Sequence, residues 1–436
     1  MNKEELKRQV CAAVDARGKE IIEFGEDILR HPELGYKEER TAEKTEQKFR
    51  EMGLHYQTGI ALNGLKARLK GRASDMSVCV MGEMDSVLCP GHPFADPKTG
   101  AAHSCGHNGQ LAATIGAGMG LLDAGAMQYL GGDVVLVAMP AEEAVELEFR
   151  NRLREQGKIE FLGGKQQFVI EGAFDDIDLV LAVHAQTEPG FKMGVGGTNN
   201  GFMAKYIRYK GKEAHSGAAP HAGVNALNAA LIGLLSIHAQ RETFKDSDNV
   251  RIHPIMTKGG DLVNVVPADV RIEMFVRAKT TEAVLDANRK VDRALQAGAL
   301  AIGAELSITN LPGYLPRVTS PEFNEICRQA AAWLVGETNV RLGGHVTASS
   351  DVGDLSHLMP VGSFSIGGVE GVGHSENYVI VDPDLFYLGA AKQFAVATID
   401  LLWDDAAAAK RVKAAYRAPY TKETWHKLWQ SLCEAK

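Results

Sequence analysis

Six cysteines in 436 residues, widely spread and not in paired-motif spacing, argue against a disulfide framework. Aromatic residues make up only 7% of the chain, so they cannot mark out a ligand pocket. Positive charge is not in excess. The net charge is −8 and the basic residues are scattered, which argues against nucleic-acid binding. No apolar run reaches the roughly 18 residues of a membrane span. The N-terminus, MNKEELKRQV, is charged from the start and lacks the apolar stretch of a secretory signal. The expectation is a cytoplasmic protein with neither a membrane nor a nucleic-acid partner. The balance of 45% hydrophobic to 23% charged residues is that of a folded globular chain. Its length calls for two domains, or one domain carrying a large insertion.

Hydrophobic periodicity predicts a helix over 4–30 and a short strand over 64–69. The run 78–82 predicts a stronger strand ending in Glu83-Met84-Asp85. A small-residue helix is expected over 108–124. The continuous apolar runs DVVLVA (133–138) and DLVLAV (178–183) read as strands buried on both faces. A charged helix is expected over 146–158. The texture changes after about Gly194. Strands are expected over 204–210, 250–257, 263–277 and 305–309, with helices over 224–240 and 281–300. This is an α+β module inserted into an α/β domain that resumes after Pro312, with a helix over 321–335, a buried strand over 361–367 and a helix over 383–402. The Ala- and Lys-rich tail after Asp404 reads as helical and functionally mute. The domain boundaries are 1–195 with 313–436 for the α/β part, and 196–312 for the insertion.

Ligands of open α/β sheets bind beyond the carboxyl ends of the strands. Those ends deliver Asp85, Glu142 with Glu143, His184 and, after a glycine-rich turn, His374. His103-Ser104-Cys105-Gly106-His107 opens a helix between the first two strong strands. Any one of these alone is a loop histidine or a solvated turn. Together, thiolate, imidazole and carboxylate make a transition-metal ligand set. Five donors exceed one structural zinc site and suit two ions bridged by water. Such a pair acidifies water and polarises a carbonyl, and a carboxylate that is not a ligand must carry the proton. Glu142 and Glu143 are adjacent and diverge, so one can bind metal while the other serves as base.

These residues resemble metallopeptidase family 20, in the subfamily of auxin-conjugate, hippurate and aminobenzoyl-glutamate hydrolases. The resemblance runs from about residue 20 to 400 and rests on HPELGYKEERTA, Glu-Met-Asp, HSCGHNG, MPAEE, AVHA, KGKEAHSGAAPHAGVNAL, GGDLVNVVPADV and GVGHSENY. It implies a zinc-exopeptidase-like, mixed-sheet catalytic domain with an inserted lid that makes a homodimer. It implies the ligands Cys105, His107, Glu143, His184 and His374 for two divalent ions, Zn or Mn, with Glu142 as base. It also implies that His215 reaches across the dimer to the oxyanion and that Asn264 lies near the substrate carboxylate. Two positions depart from the family pattern: Asn108 and Gln110 stand where Asp and His are usual, and a neutral Asn orients an imidazole less strongly.

The reaction so implied is hydrolysis of a linear amide in an N-acyl or N-aroyl amino acid. The segment 146–165 and Arg241-Glu242-Thr243-Phe244 resemble the branch acting on acidic conjugates, such as p-aminobenzoyl-glutamate or indole-3-acetyl-aspartate. Lys205, Arg208, Lys258 and Arg277 are candidates to clamp the carboxylate. The alternatives are a dipeptidase or aminoacylase of the same family, and a catalytically inactive binding protein on the same scaffold. A thiol hydrolase using Cys105 with His107 as base leaves Glu143, His184 and His374 unexplained.

Overall fold

In the computed structural model, which describes residues 1–433, eight strands form one mixed sheet. Its order is His55–Ile60, Gly64–Leu69, Asp133–Met139, Ser77–Glu83, Leu179–Ala185, Val361–Ile366, Met193–Asn199 and Val340–Val346. The third to sixth of these run parallel to one another. Asp133–Met139 and Leu179–Ala185 are rich in Val and Leu, and Asp133–Met139 and Ser77–Glu83 are buried throughout, as strands covered on both faces must be.

One face packs on Lys3–Ala16, Gly18–Arg30, His107–Asp123, Pro321–Val335 and Ala390–Ala415. The other is covered by short helices that include Gly164–Ile170, Val352–Ser356 and Lys422–Cys433. The helix from His107 lies almost on the backbone of the neighbouring strand. A Cβ at Gly82 would stand 2.6 Å from the Gln110 carbonyl oxygen and 2.7 Å from Leu111 Cα. Glycine there is what lets the first turn of that helix, with His107, sit against the strand that ends at Glu83.

A second, antiparallel sheet takes Arg251–Lys258, Asp269–Ala278, Gly201–Lys210 and Glu305–Tyr314, in that order. The helices Ala226–Ala239 and Thr281–Ile302 close over one face of it on a core of Ile207, Tyr209, Ile272, Val291 and Leu295.

Several elements differ from expectation. The helix expected over 4–30 is two helices, interrupted at Arg17. The strand expected from 263 begins only at Asp269; Pro267, lacking an N–H, lies just ahead of it. The tail is helical but is also part of the core: Trp425 and Trp429 are buried, and both indole N–H groups donate to Asp354 Oδ1 at 2.8 Å. The segment Asp384–Ala415 is long and apolar enough to cross a membrane, contrary to the expectation from sequence, but most of its apolar stretch is buried inside the protein.

Candidate metal centre

The five donors expected from the sequence come together beyond the sheet. Cys105 Sγ lies 3.4 Å from His184 Nε2, and His374 Nε2 lies 3.1 Å from Glu143 Oε1. The ligand atoms of Cys105, His107 and His184 lie within 4.8 Å of one another, as do those of Cys105, Glu143 and His374. Cys105 belongs to both groups, so two cations held by them would share the thiolate. His107 Nε2 is buried without a hydrogen-bond partner, 3.9 Å from Glu143 Oε1. A bare, buried ring nitrogen is costly, and a soft-and-borderline donor set with such an orphaned atom fits divalent transition-metal ions.

The surroundings fix these side chains. His107 Nδ1 lies 2.9 Å from the Asp85 carbonyl oxygen and 3.2 Å from its carboxylate, and the other Asp85 oxygen accepts from the Glu143 backbone N–H at 2.8 Å. Asp85 therefore orients a ring and a carboxylate at once. Asn108 does not take that part. Its amide donates to the Gly25 carbonyl at 3.2 Å and to the Tyr387 hydroxyl at 2.9 Å, and Gln110 Oε1 faces the Glu83 N–H at 3.4 Å. The two departures from the family pattern thus leave the orientation of His107 intact. Arg150, fully buried, donates to the carbonyls of Ala141, Glu143 and Leu162 and ties down the loop that carries both glutamates. Ala141 and His374 take φ of +54° and +62°, left-handed conformations that non-glycine residues rarely adopt and that cluster at functional sites.

Electrostatics follow the geometry. Burial and the Glu143 carboxylate push the Cys105 thiol up, but His184 and His107 outweigh them and hold it at about 6. Burial also pushes Glu143 up, and His374 and His107 overcome it, leaving that carboxylate at about 2. Glu142 is the contrast: burial first, then the charges of Glu83 and Glu143, push it well above the usual carboxylate range. One consequence is testable. In metal-stripped protein at neutral pH, iodoacetamide is expected to alkylate Cys105 ahead of the other five cysteines, and prior loading with Zn²⁺ is expected to block it. Peptide mass mapping reads the outcome, and equal labelling with and without Zn²⁺ would count against Cys105 as a ligand.

The peptidase dimerisation domain of the M20 family matches residues 198–302. Among curated proteins, the chain is 24% identical to the Xaa-Arg dipeptidase of Mus musculus, over 92% of this chain and 90% of that one. It is 23% identical to an IAA-amino acid hydrolase of Arabidopsis thaliana, over 86% and 84%. Among solved structures, a dinuclear metal-binding peptidase of the M20 family from Bacillus subtilis superposes with a TM-score of 0.67 at 20% identity, covering 89% of this chain and 99% of that one; this shows the fold. The chain is therefore an amidohydrolase that carries an M20 dimerisation segment and shares the fold of an M20 peptidase.

A cavity of about 510 Å³ opens on the cluster, lined by Cys105, Glu142, Glu143, His184 and His374. Arg277, Arg317 and Arg341 also line it. Three of the four expected clamps are engaged elsewhere: Lys205 with Asp292, Arg208 with Asp269, and Lys258 with Asp261 and Asp269. The fourth, Arg277, packs over Phe202 at 5.3 Å and donates to Ser349 Oγ at 3.0 Å. The segments of His215 and Asn264 meet on the inserted module, through the Ser216 N–H and the Asn264 carbonyl at 3.0 Å. Both residues are exposed, and neither lines the cavity of its own chain. Sequence reasoning missed Lys165, Asp351, Arg150 and Arg317. Lys165 closes the segment 146–165, read as charged and as resembling the branch for acidic conjugates, and nothing in its neighbours announced burial.

Proposed function

We propose that this enzyme hydrolyses the amide bond of N-acyl and N-aroyl amino acids, with aromatic conjugates of Asp or Glu as its substrates. Two divalent ions, Zn or Mn, held by Cys105, His107, Glu143, His184 and His374 would supply a Lewis-acidic pair that acidifies water and polarises the scissile carbonyl. Glu142 takes the proton of the attacking water and returns it to the leaving amine. His215 of a second copy donates to the oxyanion, and Asn264 lies by the substrate carboxylate. The lid 196–312 carries this contact and the dimer interface.

The observation that carries the choice of substrate is the charge of the cavity wall. Arg277 and Arg317 have no carboxylate partner among the described residues, whereas Glu188, the one acidic lining residue outside the cluster at the carboxyl ends of the strands, is paired with Arg341. An acidic leaving amino acid meets that wall favourably, and desolvated arginines without counter-ions favour carboxylate binding.

A second reading, a dipeptidase, is favoured by the 92% of the chain aligned with the Xaa-Arg dipeptidase. Its namesake substrates would place a cationic side chain or terminus against the same arginines. A panel of N-aroyl-glutamates, N-acyl-aspartates and dipeptides ending in Arg separates the two. The acidic conjugates are expected to dominate, and Arg277→Met is expected to raise their KM by about 10- to 100-fold, the worth of one charged hydrogen bond, with a smaller change in kcat. A preference for Arg dipeptides would overturn the acidic reading.

A further inference from the structure

We propose that Glu83 is a further ligand of this centre and binds the same cation as His107. The proposal rests on the metal-centre reading above and extends it to a residue outside the family's five donors.

Glu83 ends the strand Ser77–Glu83 with its side chain buried. One oxygen, Oε1, receives the Lys165 ammonium at 2.5 Å. Lys165 is in turn fixed by Asp351, whose Oδ1 takes the same ammonium and whose Oδ2 accepts from the Lys165 backbone N–H at 3.0 Å. All three side chains are buried, so the carboxylate cannot swing away. The second oxygen, Oε2, is buried without a hydrogen-bond partner and stands 3.1 Å from His107 Nε2.

That approach has a definite chemistry. His107 Nδ1 faces the Asp85 carbonyl oxygen. A carbonyl only accepts, so Nδ1 carries the hydrogen and Nε2 of the neutral ring presents a lone pair. A carboxylate oxygen and an imidazole lone pair at this distance repel unless a cation lies between them. A metal ion would satisfy both: donors bonded at about 2.1 Å to one ion stand roughly 3 to 3.5 Å apart. The ligand atoms of Glu83, His107 and Glu142 also lie within 4.8 Å of one another, so Glu142 is close enough to act on water held at that position. Lys165 and Asp351 are positioning residues: they leave Glu83 one bare oxygen, aimed at the centre.

Anomalous diffraction from crystals of the native protein soaked in Mn²⁺, and separately in Zn²⁺, tests this directly. The expected result is two peaks at the cluster, one of them about 2.2 Å or less from Glu83 Oε2. Two peaks with Oε2 more than about 3 Å from both would overturn the proposal and leave the five-donor centre standing. No peak at the cluster would overturn both. In solution, Glu83→Gln is expected to weaken one of two Mn²⁺ binding events at least tenfold and spare the other, as read by calorimetry on protein whose fold is checked by circular dichroism. Two unchanged binding events would again overturn it.

Discussion

Replacing Glu142 by glutamine is expected to lower kcat by about 10²- to 10⁴-fold, the range for losing a positioned proton carrier, while both cations stay bound. Glutamine keeps the size and hydrogen-bonding reach of the side chain but cannot accept and return a proton. Glu142 is held where such a carrier is needed. Its backbone carbonyl receives the Tyr314 hydroxyl, its side chain lines the cavity, and burial together with the neighbouring charges of Glu83 and Glu143 raises its proton affinity. A carboxylate with raised proton affinity takes a proton from acidified water more readily than an ordinary one does. The measurement pairs steady-state turnover with metal content. Turnover within a few-fold of the native enzyme would remove Glu142 from the mechanism, and loss of an ion from the variant would make it a ligand instead.

His215→Ala is expected to lower turnover by about 10²- to 10³-fold, the cost of deleting one oxyanion donor, and to leave ion uptake unchanged. The ring is set up to donate. Its Nδ1 accepts from the backbone N–H groups of Gly217 and Ala218 at 3.2 and 3.1 Å, so the hydrogen resides on Nε2. The side chain lies outside its own chain's cavity, which points to action on a second copy. Co-expression of Glu142→Gln and His215→Ala chains with different tags reads this out. A mixed dimer joins the intact Glu142 of one chain to the intact His215 of the other, so purified mixed dimers are expected to recover one working site. Mixed dimers as inactive as either parent would confine His215 to its own chain or to no catalytic part at all.

That these side chains would gather at one edge was legible in the sequence because parallel strands announce themselves. DVVLVA and DLVLAV are apolar on both faces, and whatever follows such strands lies at one edge. The supporting residues were less so. Asp85 was visible as a strand-end acid, but nothing showed that it serves His107 and Glu143 together. Glu83 lies inside the same Glu-Met-Asp segment and was passed over, because its burial depends on Lys165, some eighty positions later. The helix Glu39–Glu51 escaped notice because its buried face is Thr41, Thr45 and Phe49, too polar for an apolar stripe. The edge strands His55–Ile60 and Val340–Val346 are mostly exposed and carry no alternation to read. In the tail, Trp425 and Trp429 stand four apart, the spacing of one helix face, and that signal was outweighed by the Ala- and Lys-rich composition before it.

The central claim is that Cys105, His107, Glu143, His184 and His374 hold a pair of ions around one shared thiolate. Elemental analysis of protein stripped with a chelator and then reconstituted in Zn²⁺ or Mn²⁺ tests it most directly, alongside the Cys105→Ala variant. The native chain is expected to take up metal to a ratio near two and to regain amidase activity in step, and Cys105→Ala to lose tight binding of both ions. A native ratio of zero, or a Cys105→Ala chain that still binds two ions as tightly, would contradict the shared-thiolate centre.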